Sequence, residues 1–239
     1  MIFYSTDSVD ACLFGRDVAE EFTCIVDEGF NRCLKKGSAL SEATYKRDIR
    51  CMRLLIKSGA KIAPDADLLS SIGYYSPLEY AILVGSIEAL DLLLDSGADI
   101  ETTNHAGNTL LAFACIKDRL IISKHLVTRG AKTTVVDMDE DNILHLIIWH
   151  TGRYGNKEWQ EKVPKTLKFI LEVDASLLNQ TNNDDYTPYL LACSTGNQDI
   201  MDFFKSKGAR VNQKLCEMLC KQDRAITLHG ECSPFSGIY

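Results

Sequence analysis

The chain has 239 residues, of which 46% are hydrophobic and 25% charged, and its net charge is -7. Those fractions suit a folded water-soluble chain and exclude a disordered tail. With a net negative charge and no run of five basic residues, a grip on phosphate backbones is disfavoured, so no nucleic-acid partner is expected.

Residues 1–37 come first. "MIFYSTDSVDACLFG" has acidic residues where a signal peptide is basic and lacks an unbroken apolar run, so the expectation is an intracellular chain, cytoplasmic or nuclear, and not a secreted one. No stretch approaches the ~18 apolar residues of a membrane span, and no membrane partner is expected. "SVDACLFGRDVAEEFTCIVDEGF" reads as either a worn repeat or a capping helix pair. The nine scattered cysteines read as free thiols in a reducing compartment.

From residue 38 the chain is periodic, and the array is expected over 38–214. Ser76, Thr109, Asn142 and Thr187 open similar segments, "SPLEYA", "TLLAFA", "NILHLI" and "TPYLLA", at intervals of 33, 33 and 45. A second marker keeps the same register: Gly97, Gly130 and Gly208, each followed by Ala, stand 21 residues after Ser76, Thr109 and Thr187, as Gly59 does after Ser38. That makes five repeats. In each, a Ser, Thr or Asn opens a short helix, followed by Pro in two copies. A second apolar helix such as "SIEALDLLLDS" then ends at the glycine. The column Ala43, Ala81, Ala114 and Ala192, broken by Ile147, suits helices that approach closely.

The fourth repeat departs from the pattern. Its interval of 45 leaves twelve extra residues, an insertion near 151–162 between its two helices, and "VDASLLN" replaces the Gly-Ala turn. The insertion, with Tyr154 and Trp159, is either a neutral extension or a site. Residues 215–239 read as a capping helix and tail. There Cys216, Cys220, His229 and Cys232 offer four zinc-compatible side chains, but the spacing lacks a Cys-x-x-Cys knuckle, and two of the cysteines also fit the buried face of a capping helix. No metal or cofactor is assigned.

These markers resemble the ankyrin repeat, whose 33-residue unit carries a Thr-Pro-Leu-His-x-Ala start and a Gly-Ala-Asp turn; "SPLEYAILVGSIEALDLLLDSGADI" is the best copy. The resemblance implies an all-α solenoid of stacked helix-turn-helix repeats with β-hairpin-like turns. It also implies that His145 has a structural place within and between the repeat turns. Partner positions carried over from the family fall at the ends of the first helices: Tyr45, Val84, Lys117, Trp149 and His150, with Lys46, Leu83, Ile116, Ser194 and Thr195 beside them. At the hairpin tips they are Tyr75, His105, Asn108, Met138, Asp139, Asp141, Asn183 and Tyr186, with Asp184 alongside. The aromatic anchors Trp149, Tyr75 and Tyr186 are favoured, while Leu83, Val84 and Ile116 read equally as packing residues. The acidic run "VVDMDEDN" is either a solvated turn or a rim that selects a basic partner.

No phosphate-binding loop, nucleophile elbow or H-E-x-x-H motif is present, so no enzyme and no small-molecule substrate are expected. The expected function is a non-catalytic scaffold module that binds another protein through its concave groove and hairpin tips. The alternatives are a substrate adaptor or inhibitor subunit of a larger complex, or a module with a structural zinc site in its tail.

Overall fold

The computed structural model describes residues 39–62, 75–104, 106–153 and 164–212. Ser38, His105, most of the insertion, the N-terminal cap or worn repeat, and the C-terminal tail with its cysteines and histidine lie outside the described residues. The chain divides into two compact units, Met1–Ala106 and Gly107–Tyr239.

In the first unit, helices α1 (Ala39–Tyr45) and α2 (Ile49–Lys57) are followed by α3 (Pro77–Val84) and α4 (Ile87–Asp95). Helix α1 packs on α3 and α2 on α4, so first and second helices form separate layers. The second unit holds α5 (Leu110–Ile116), α6 (Leu120–Thr128), α7 (Ile143–Arg153), α8 (Lys165–Val173), the 3-10 helix Ala175–Asn179, α9 (Pro188–Thr195) and α10 (Gln198–Ser206). Helix α7 packs against both α5 and α9, and α6 against α8. The described helices therefore build the all-α repeat stack that the spacing predicts.

The marker residues are the N-caps. The Ser76 hydroxyl accepts the Glu79 N–H at 3.2 Å while a Glu79 carboxylate oxygen accepts the Ser76 N–H at 2.8 Å, a reciprocal capping box. Thr109 and Thr187 accept the N–H groups of Ala112 and Leu190 at 3.2 and 3.3 Å. Each cap satisfies a first-turn donor that has no partner within the helix. Two residues into each first helix, Leu40, Leu78, Leu111, Leu144 and Tyr189 are all buried, and three further on so are Ala43, Ala81, Ala114, Ile147 and Ala192. The large member, Ile147, lies on α7 between two helices that each carry alanine in that column.

Second helices close where the sequence places Gly-Ala. Gly97 has φ +100°, a conformation costly for other residues, and Ala98 donates its N–H back to the Leu93 carbonyl at 3.1 Å. Ala131 and Ala209 do the same to Leu126 and Phe204 at 3.0 Å. Helix α8 has no such glycine. Its chain turns through the 3-10 helix, which buries Leu177 and Leu178, and Asp174 accepts the Ser176 N–H at 3.0 Å and the Thr133 hydroxyl at 3.0 Å.

The insertion is partly absorbed by helix. Helix α7 runs eleven residues, against seven for α5, so Trp149 and His150 sit about a turn inside the helix and not at its end. Residues 154–163, including Tyr154 and Trp159, lie outside the described residues. Where the chain re-enters at α8, the N-cap is Pro164, whose side chain makes no cap bond. Asp118, from the preceding repeat, supplies it: its carboxylate accepts the Thr166 N–H at 3.0 Å and lies 2.9 Å from the Thr166 hydroxyl. That hydroxyl also lies 3.0 Å from the Cys115 carbonyl, and its single proton serves one acceptor at a time. Asp118 holds φ +47° to do this.

Replacing Asp118 with Ala removes the cap and places a less tolerant residue in the left-handed region, so a loss of about 1–3 kcal/mol is expected in urea unfolding. Asp118→Asn keeps the acceptor oxygen and should lose less than half as much; equal losses in the two variants would show that the cross-repeat cap contributes nothing.

Candidate partner-binding surface

In the second unit the two tips follow one plan. Asp137 Oδ1 accepts the N–H groups of Asp139 and Asp141 at 3.0 and 2.9 Å. Forty-five residues on, Asn182 Oδ1 accepts those of Asp184 and Tyr186 at 3.1 and 3.0 Å. Such side chains hold a tight turn by occupying its main-chain donors. Glu140 and Asp185 complete the turns at φ +58° and +59°. The tips are also tied to each other. Asn183 donates its main-chain N–H to the Asp139 carbonyl at 3.0 Å, and its side-chain amide donates to the Met138 carbonyl at 3.3 Å. The Asn182 amide donates to the Asp141 carboxylate at 2.7 Å.

His145 anchors this pair of tips to α7. The ring is fully buried. Its Nδ1 accepts the Asn142 N–H at 3.2 Å, and Nε2 lies 2.9 Å from the Tyr186 carbonyl, so the proton resides on Nε2 and is donated to Tyr186. The Asn142 side chain in turn accepts the N–H groups of Leu144 and His145 at 3.0 and 3.3 Å. Burial pushes the His145 pKa down from 6.5 to about 4, partly offset by the bond to Tyr186. A neutral ring with both nitrogens committed to the fold is a structural group, as the resemblance implies, and has no spare lone pair for a metal or a proton shuttle.

The acidic tip behaves differently. Burial raises the Asp141 pKa from 3.8 to about 6; the Asn182 amide opposes the rise, and Asp137, Asp139 and Asp184 add to it. Asp137 is also raised, chiefly by burial, against the two main-chain N–H groups it accepts. Among the described residues no three His, Cys, Asp or Glu side chains converge on a metal position.

The other expected positions vary. Met138 is 81% exposed, with Asp139, Glu140, Asn183, Asp184 and Asp185 exposed around the tips; Trp149, His150 and Tyr186 are half-buried. Asn108 is 8% exposed, so it lies inside its turn and is corrected from a contact to a structural residue. Ile116 is buried in the core. Lys117 is half-buried, its ammonium 5.5 Å from the Phe113 ring centre. In the first unit, Tyr45 is 57% exposed and meets Tyr80 edge-on at 5.5 Å, while Tyr75 meets the same ring at 5.6 Å. Val84 is half-buried, and its carbonyl accepts from the Arg47 guanidinium. Tyr80, the centre of that cluster, was not singled out by its place in the repeat; neither were Asp137 and Asn182 as bracing groups, although their spacing of 45 equals that of the repeat markers.

Among the described residues the thiols of Cys51 and Cys115 are buried, and burial pushes that of Cys115 up to about 12. Among the described residues no helix is long and apolar enough to cross a membrane.

His145 and Asp141 act on stability with opposite signs. Below pH ~6.5 the unfolded histidine takes up a proton that the folded ring refuses until about pH 4, so stability falls as pH drops through that window, by up to about 3 kcal/mol. Asp141 binds its proton near pH 6 when folded but near 4 when unfolded, so it restores stability over much of the same range. Unfolding measured from pH 7 to 4 should therefore show Asp141→Asn losing stability more steeply than the wild type, and His145→Gln less steeply. Parallel profiles for all three proteins would overturn both assignments.

The family model for ankyrin repeats, in three copies, matches residues 9–104. The chain is 27% identical over 184 residues to the ankyrin repeat protein FPV031 of fowlpox virus, covering 77% of this chain and 51% of that one. It is 25% identical over 202 residues to ankyrin repeat and SAM domain-containing protein 6 of Danio rerio, covering 81% and 26%. It thus spans about half the length of the first relative and about a quarter of the second. Among solved structures, a chain of the complex between the predatory endopeptidase Bd0816 of Bdellovibrio bacteriovorus and the immunity protein Bd3460 shares the fold. That likeness has a TM-score of 0.56 at 23% identity, over 82% of this chain and all of that one. The family-model match over residues 9–104, with the repeat register and the capped helix pairs, shows that the chain carries ankyrin repeats.

Proposed function

We propose that the chain is a non-catalytic protein-binding module and that a partner seats on the braced tips of the second unit, 137–141 and 182–186, and reaches Trp149 and His150 further along α7. Ankyrin repeats in general mediate contacts between proteins. The observation that carries the more specific reading is the bracing: main-chain and side-chain bonds hold the two tips to each other while leaving Met138 81% exposed. A surface already ordered in the free chain loses little entropy on binding. Met138 offers a flexible apolar contact, and the carboxylates around it favour a basic partner segment and disfavour a phosphate backbone.

The test is capture from a lysate of the native host, comparing the intact protein with a Met138→Ala, Asp139→Lys, Trp149→Ala variant of unchanged helical circular dichroism. Recovery of the specific partner should fall at least ~10-fold in the variant and fall with added salt. Equal recovery by both proteins would move the site off these tips.

A further inference from the structure

The chain leading into the first of these tips is open where its counterparts are closed. From Lys132 to Met138 the side chains alternate without a break between exposed and half-buried, the period of an extended strand. Thr133, Thr134, Val135 and Val136 are β-branched, which suits that conformation, and the Thr133 hydroxyl is tied to Asp174. Yet the main-chain N–H and carbonyl groups of Thr134, Val135 and Val136 make no hydrogen bond to any described residue. The preceding repeat shows the reason. There Asp99, the residue after Gly97-Ala98, accepts the Glu101 N–H on its carboxylate at 2.9 Å and the Thr102 N–H on its carbonyl at 3.2 Å, closing a turn. Lys132 holds the same place after Gly130-Ala131, and its ammonium accepts nothing, so the equivalent donors of Thr134 and Val135 stay open. Before the next tip the chain closes through the 3-10 helix, with Gln180 donating its N–H to the Leu177 carbonyl at 3.4 Å.

A row of unpaired main-chain groups in an extended, β-branched stretch is a template for a further strand. Resting on the reading of the tips as the partner site, we propose that residues 133–136 take up an extended segment of the partner protein as an added β-strand, with basic side chains of that segment over Asp139, Glu140, Asp184 and Asp185. Those four side chains are exposed and have no cationic partner among the described residues, so charge selects the segment. Val136, 42% exposed, and Met138 take its apolar side chains. Pairing of main chain with main chain supplies affinity that does not depend on side-chain identity.

The probe is a set of peptides selected for binding to the full chain from a displayed library of random segments about ten residues long, with affinity read by fluorescence anisotropy at ~50 mM salt. N-methylation of the peptide main chain, one nitrogen at a time, should weaken binding at least about tenfold at every second position and leave the positions between unchanged, because alternate donors of a strand face opposite edges. Lys132→Asp restores the side chain that closes the turn in the preceding repeat. It should weaken binding at least about fivefold although it adds negative charge. Equal effects of N-methylation at neighbouring positions, a Lys132→Asp protein that binds as well as the wild type, or a library that yields no peptide would each overturn strand addition. If in either of the first two cases the peptides still lose affinity for the Met138→Ala, Asp139→Lys, Trp149→Ala variant, the tips remain the partner site and only the strand falls. Peptides indifferent to that variant as well would remove both readings.

Discussion

The second unit depends on how the main chain of each tip is satisfied. A tight turn between helix pairs leaves donors and acceptors that neither helix can use, and burying them unpaired costs on the order of 1–3 kcal/mol each. The chain meets this with side chains that reach across one repeat. Asp137 and Asn182 fill the donors inside their own turns. His145 joins the start of α7 to the Tyr186 carbonyl of the next turn. The result is a chain of bonds in which the cap of a helix, the shape of the following tip and the contact between neighbouring tips are one construction. Glu79 occupies the same place as His145 in its own repeat and closes the cap onto Ser76, but a carboxylate has no ring nitrogen to span the two sites.

This explains which features were legible in the sequence. Left-handed residues recur at three places: nine and twenty-one residues after the marker in the first, second, third and fifth repeats, and two before it in the third, fourth and fifth. Only twenty-one residues after the marker is the residue glycine in all four of those repeats, and it supplies the second register marker. At the first position Arg47 and Asp118 alternate with Gly85 and Gly196, and at the last Glu140 and Asp185 stand where Gly107 does. A residue tolerated at a positive φ, at some cost in strain, leaves no compositional trace, so those turns became visible only in the structure. Asp118 illustrates a further limit: its carboxylate serves a helix that begins 47 residues later, and no local pattern announces a cap supplied from another repeat. Pro164 gives α8 no side-chain cap, and Asp118 of the neighbouring repeat supplies one.

The candidate surface was legible in outline and not in detail for a related reason. Position in the repeat states which column a residue belongs to, whereas burial within the column depends on its neighbours. Asn108, Asp141, Tyr75 and Tyr186 all precede a marker by one residue, yet Asn108 is buried while the other three are not. Transfer of whole columns from a family pattern therefore finds the right edge of the molecule and mixes contact residues with packing residues along it. The tips escape part of this ambiguity because residues 138–140 and 183–185 are all exposed.

Exposure of a methionine at such a tip is ordinary by itself, since folded proteins leave much apolar surface in water. What sets Met138 apart is the rigidity of the backbone beneath it. Its carbonyl is held by Asn183, and Asp139 beside it is bonded at both its N–H and its carbonyl. A side chain on a mobile loop would have to be ordered at a cost of about 1–2 kcal/mol per backbone residue before it could contribute to binding, and that cost is already met here by bonds the fold requires for its own stability. Interaction between the tips and a partner can thus be modest in area and still productive, because the hydrogen bonds that close the turns also fix the surface they present.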